Sequence, residues 1–107
     1  MTPPDEAATE RNRVSNEVKA QVVVRNRLGL HARPAMTFVD AAMAFDAAIT
    51  VRRAEEDGEE VDGKSIMEMM MLAATQGTTL EIKAVGDDAQ TAIEQLSALV
   101  EGGFDED

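Results

Sequence analysis

The chain's one histidine stands in the stretch Arg27-Leu28-Gly29-Leu30-His31-Ala32-Arg33-Pro34-Ala35. Gly29 interrupts a β-rich run, and apolar residues after Pro34 recur at helical spacing, so His31 falls where a loop enters a helix. The first amides of a helix have no intrahelical acceptors and carry the positive end of its dipole. The backbone N–H groups of Ala32 and Arg33 therefore form an anion site, and phosphate is the anion it suits best. Arg33 adds a planar fork that can grip two phosphate oxygens. Pro34 has no N–H and fixes the turn without competing for the ligand. A neutral imidazole nitrogen is a nucleophile. Among such groups it supplies what a temporary phosphoryl acceptor requires, because phosphoryl transfer is chiefly positioning and charge stabilisation. The residues alone leave a second reading open, in which His31 does no more than cap the helix.

Further along, Gly63-Lys64-Ser65 introduces a second helical run. Ser65 is placed to cap it, its hydroxyl accepting a backbone N–H two or three residues on. Met67, Met69, Met70 and Met71 then crowd into one turn, which cannot bury all of them against one surface. Helical spacing turns Ile66, Met69 and Leu72 inward and leaves Met67, Met70 and Met71 toward solvent. Exposed methionines make an adaptable surface, suited to a protein that docks on several partners in turn. The acidic residues Glu55, Glu56, Asp57, Glu59, Glu60 and Asp62 lack the alternate-ligand spacing of a calcium loop. They read as a solvated hairpin tip, and neither a metal nor a cofactor is expected.

The elements that must hold these residues follow from periodicity. Residues 18–26 form a strand. Ala35, Phe38, Val39 and Ala42 share one face of a helix that has Pro34 in its first turn. Residues 48–52 and 59–61 flank the turn signal Asp57-Gly58 and pair as a hairpin. The methionine helix runs until Gly77. Leu80, Ile82 and Ala84 alternate with charged residues as a half-buried strand. Asp87 or Asp88 caps a last helix whose Ala89, Ala92, Ile93, Leu96 and Val100 share a face. The order strand, helix, strand, strand, helix, strand, helix predicts an α+β fold. Its sheet is antiparallel, with three helices on one face. Residues 1–17 read as a disordered tail, 18–101 as the folded domain, and 102–107 as a glycine stop with an acidic fringe.

Composition removes other classes. The chain has 107 residues, enough for one domain. Without Cys there are no disulfides, thiolate metal sites or cysteine nucleophiles, and one His cannot build a multi-histidine site. With 21 acidic residues against 10 basic, the net charge of −11 argues against nucleic acid. Trp and Tyr are absent, so there is no base-stacking platform. No apolar run approaches a membrane span, and residues 1–10 lack the layout of a signal peptide. A soluble, cytoplasmic monomer is expected.

The segment 29–35, with Gly63-Lys64-Ser65-Ile66-Met67 downstream, resembles HPr. This is the histidine-containing phosphocarrier family of the bacterial phosphoenolpyruvate-dependent sugar phosphotransferase system. The resemblance covers residues 18–101 and implies an open-faced β-sandwich, four antiparallel strands under three helices. It implies that His31 accepts a phosphoryl group on Nδ1 from phosphorylated enzyme I and passes it to an enzyme IIA, with Arg33 stabilising the phosphate. Such a protein is a stoichiometric carrier and not an enzyme. It also implies that Ile66, Met67 and Met70 contact these partners, and that Ser65 is open to regulatory phosphorylation by an HPr kinase/phosphorylase. Glu68, Met71 and Leu28 depart from what the family usually carries at those places. The alternative within the same fold is a regulatory binding module, nitrogen-type or phosphoserine-dependent, acting on enzymes or transcription factors.

Overall fold

The computed structural model describes residues 16–55 and 58–106. Most of the expected N-terminal tail, together with Glu56, Asp57 and Asp107, lies outside the described residues. In chain order the elements are β1 (Glu17–Val23), α1 (Ala32–Ala42), β2 (Ala48–Arg53), β3 (Val61–Asp62), α2 (Ile66–Met71), β4 (Thr79–Val85) and α3 (Ala89–Glu101). A 3₁₀ turn at Gly103–Asp105 follows.

The four strands form one antiparallel sheet in the order β1-β4-β2-β3. Register follows the period-two pattern of β4. Leu80, Ile82 and Ala84 stand opposite Val22, Ala20 and Val18 of β1, while Ile82 and Ala84 stand opposite Val51 and Ile49 of β2. All these apolar residues therefore share one face, since successive side chains of a strand point to opposite sides. Helices α1 and α3 bury Phe38, Val39, Ile93, Leu96 and Val100 in the same core. Each large apolar side chain fully buried there contributes about 1.5–3 kcal/mol of transfer free energy. The opposite face is polar. Arg52 sits directly across from Glu81, with Nε 3.0 Å from its carboxylate, and Lys83 pairs with Glu60 at 3.0 Å. This is the α+β fold with an antiparallel sheet that the periodicity predicts, and the open-faced sandwich that the resemblance implies. Among the described residues no helix is long and apolar enough to cross a membrane.

Helix α1 begins at Ala32 with Pro34 in its first turn, as expected, whereas α2 stops at Met71 instead of Gly77. The early stop of α2 has a tertiary cause. Arg53 donates to the carbonyls of Leu72 and Ala73 at 3.1 and 3.3 Å, and Ala73 turns at φ 50°. That turn frees the Ala74 carbonyl to accept Leu30 N–H at 2.9 Å. Asp88 occupies the start of α3 but makes no cap bond. Its carboxylate instead accepts the amides of Asp46 and Ala47, both at 2.9 Å, and so pins the α1–β2 connection. Residues 102–106 do not form a fringe. Phe104 is buried and brings the chain end back onto the loop between β1 and α1.

Candidate functional site

His31 occupies the N-cap position of α1 with extended backbone, φ −87° and ψ −169°. Its carbonyl accepts Ala35 N–H at 3.0 Å and begins the helix, but its ring makes no cap bond. The imidazole therefore does not cap the helix, although the residue stands at the cap position. The amides of Ala32 and Arg33 have no acceptor within the helix or elsewhere among the described residues.

Gly29 sets the approach of this loop. At φ +71° it occupies the left-handed region that glycine favours, and a Cβ there would lie 2.5 Å from the Ala74 carbonyl oxygen. Only glycine lets residues 26–30 pack this close to the segment after α2. The turn is closed by Gly29 N–H donating to the Asn26 carbonyl at 3.1 Å. Asn26, almost fully buried, donates from Nδ2 to the Gly29 carbonyl at 2.7 Å and to Glu106 Oε1 at 3.0 Å.

Glu106 is the site residue the sequence reading missed. The same Oε1 lies 3.3 Å from His31 Nε2, so the C-terminal turn places a carboxylate on one nitrogen of the ring. Nδ1 has no partner among the described residues. The backbone before Glu106 is strained: Gly103, Phe104 and Asp105 all have positive φ, at 73°, 59° and 61°. Each non-glycine residue held this way costs about 1–3 kcal/mol, offset here by burial of the Phe104 ring. The one legible hint was an apolar Phe104 set between glycines and acids.

An open cavity of about 440 Å³ results, lined by Arg27, Leu28, His31, Arg33, Asp105 and Glu106. Cationic guanidinium groups and free amides beside an exposed imidazole edge make this a place for a phosphoryl group.

Ser65 lies in a different setting. Its Oγ accepts Glu68 N–H at 3.1 Å at the start of α2, as a capping serine should. Glu68 reaches back to accept Asp62 N–H at 2.9 Å, a variant of the capping box legible in the spacing Ser65-Ile66-Met67-Glu68. Lys64 donates to the Phe45 carbonyl at 2.7 Å. Of the methionines, Met69 is buried, whereas Met67, Met70 and Met71 are 78%, 42% and 74% exposed. Ile66, expected to turn inward, is 38% exposed and joins this surface. Leu72 is buried as expected.

Residues 18–102 match the family model described as the PTS HPr component phosphorylation site. The chain is 44% identical over 87 residues to the phosphocarrier protein NPr of Proteus mirabilis, covering 81% of this chain and 94% of the relative. It is 41% identical over 87 residues to the phosphocarrier protein HPr of Xylella fastidiosa strain 9a5c, again over 81% and 94%. Among solved structures, an HPr from Thermoanaerobacter tengcongensis superposes with a TM-score of 0.77 at 39% identity, over 84% of this chain and 98% of the other.

Proposed function

The chain belongs to the HPr family of the phosphotransferase system, and on that premise we propose that His31 carries a phosphoryl group from phosphorylated enzyme I to an enzyme IIA. The observation that carries this reading is the uncapped imidazole of His31 at the open start of α1, with Nε2 engaged by Glu106 and Nδ1 unpartnered. The Nδ1 lone pair forms the new N–P bond as the donor's bond to phosphorus breaks and its electron pair returns to the donor. Arg33 and the amides of Ala32 and Arg33 take the phosphoryl oxygens. In the return step the N–P electron pair stays on Nδ1 as the acceptor protein binds phosphorus. The protein is unchanged over a cycle, a carrier and not a catalyst. Ile66, Met67 and Met70 form the docking surface beside the site, since α1 and α2 pack against each other.

Incubation with enzyme I, Mg²⁺ and phosphoenolpyruvate should load one acid-labile, base-stable phosphate per chain. His31→Ala should abolish it. Label persisting in that variant would refute the assignment.

A second reading, a regulatory module of a nitrogen-type system, is favoured by relatives that bear the name NPr. It uses the same His31 chemistry and differs in which proteins receive the signal. Phosphorylation of Ser65 by a kinase would disturb the cap on Glu68 N–H and set a dianion beside the Glu68 carboxylate, within the docking surface.

A further inference from the structure

The distribution of cations singles out one more residue. Among the described residues, Lys19, Arg25, Arg52, Arg53 and Lys83 pair with carboxylates, and Lys64 is bound to a backbone carbonyl. Among the described residues the guanidinium groups of Arg27 and Arg33 alone have no hydrogen bond or ion pair, and both residues line the cavity that holds His31. On a chain with twice as many acids as bases, two unpaired guanidinium groups at one cavity are not what general solvation of charge would produce.

We propose that Arg27 is a second phosphate-binding guanidinium of this site, supplied by the turn before α1 and not by the helix start itself. The proposal rests on the carrier reading of His31. Two features support it. Arg27 sits with Leu28 at the tip of the turn that Gly29 N–H closes onto the Asn26 carbonyl. The Asn26 side chain ties that turn to both Gly29 and Glu106, so the tip is held at the cavity mouth. The second feature is charge. Asp105 and Glu106 bring two carboxylates to the lining, which Arg33 alone would leave with an excess negative charge. A dianionic phosphoryl group entering there would be repelled, and Arg27 restores the balance. Glu106 is then free to engage Nε2, while the guanidinium groups take the phosphoryl oxygens.

The test titrates inorganic phosphate into the full chain at constant ionic strength, following the ring signals of His31 by NMR. Arg27→Ala should weaken phosphate binding about three- to tenfold, with Arg27→Lys intermediate because it keeps charge and loses the fork. Arg25→Ala removes the same charge from a paired position and should leave the affinity within about twofold. Melting temperatures of the variants identify any loss of fold. Equal affinity in parent and Arg27→Ala would overturn the proposal. So would an equal loss in Arg25→Ala and Arg27→Ala, which would mean that only the overall field matters. Phosphoryl loading from enzyme I is measured on the same samples. A parent that binds phosphate through Arg27 but never loads His31 would sustain the Arg27 site while refuting the carrier reading. A parent that loads normally with no Arg27 dependence of phosphate binding would do the reverse.

Discussion

At the start of α1 the His31 side chain makes no cap bond, and among the described residues the following amides lack acceptors and two guanidinium groups stand unpaired at the cavity. At the start of α2, Ser65 Oγ accepts Glu68 N–H, Glu68 accepts Asp62 N–H, and Lys64 is tied to the Phe45 carbonyl. Both helices open with two amides that have no acceptor among the described residues, but the third position is Pro34, without an N–H, at α1 and Glu68 at α2. The difference lies in whether the protein's own side chains engage the terminus. At α2 the Ser65 hydroxyl holds the Glu68 amide and that cap serves stability, although the Ile66 and Met67 amides have no acceptor among the described residues. At α1 the donors are kept open, and the stabilisation they lose there becomes available to a ligand.

The largest effect should come from breaking the close packing of the loop that leads into the open terminus. Gly29→Ala sets a Cβ against the Ala74 carbonyl at a left-handed φ. It should cost about 2–4 kcal/mol in denaturant unfolding and displace the loop that carries Arg27. If Gly29→Ala melts as the parent does, the tight packing of this loop is not what holds the site.

Removing the fork at the open terminus should come next. Arg33→Ala is expected to slow phosphoryl transfer about tenfold or more with the melting temperature unchanged, and Arg33→Lys less, as a charge without a bidentate grip. Transfer at the parent rate in Arg33→Ala would remove the asymmetry between the termini.

How much of this was legible in the sequence depends on the range of the interactions. The alternation of Leu80, Ile82 and Ala84 and the spacing of Phe38, Val39 and Ala42 are local patterns, and they predict the sheet face and the helix face correctly. His31 and Arg33 are neighbours, so their shared site could be read directly. Glu106 lies 75 residues from His31 and reaches it only because Phe104 docks into the core, which no local period encodes. The end of α2 was misplaced for the same reason: Arg53, from β2, takes the carbonyls of Leu72 and Ala73 just beyond it. Asp88 looks like a cap in sequence, yet two amides from the α1–β2 connection claim its carboxylate.

At the closed terminus the effects should be smaller and of a different kind. Ser65→Ala should cost about 1 kcal/mol of stability and leave transfer to and from His31 intact. Ser65→Asp can still accept the Glu68 amide and should change stability by less than about 1 kcal/mol, while weakening binding to enzyme I. Met67→Ala should weaken the same complex through lost apolar contact. If neither Ser65→Asp nor Met67→Ala changes the enzyme I titration, α2 is not the docking surface.

The smallest effect concerns the start of α3. The amide of Asp46 above all, and then that of Ala47, hold the Asp88 carboxyl below the usual aspartate range. A lowered folded value means that the contribution is fully present above the unfolded aspartate range and is lost as the pH falls through the folded value. Melts taken from about pH 6 down to about pH 2 should therefore fall less steeply in Asp88→Asn than in the parent. Parallel curves would remove Asp88 as a source of acid sensitivity.

The central claim is that the open start of α1 leaves Nδ1 of His31 as the phosphoryl acceptor while Glu106 holds Nε2. Ring-¹⁵N-labelled protein, loaded by enzyme I and phosphoenolpyruvate, can be read by ¹⁵N–³¹P correlation. The account predicts phosphorus bonded to Nδ1, with a proton retained on Nε2. Phosphorus bonded to Nε2, or to no ring nitrogen at all, would contradict it.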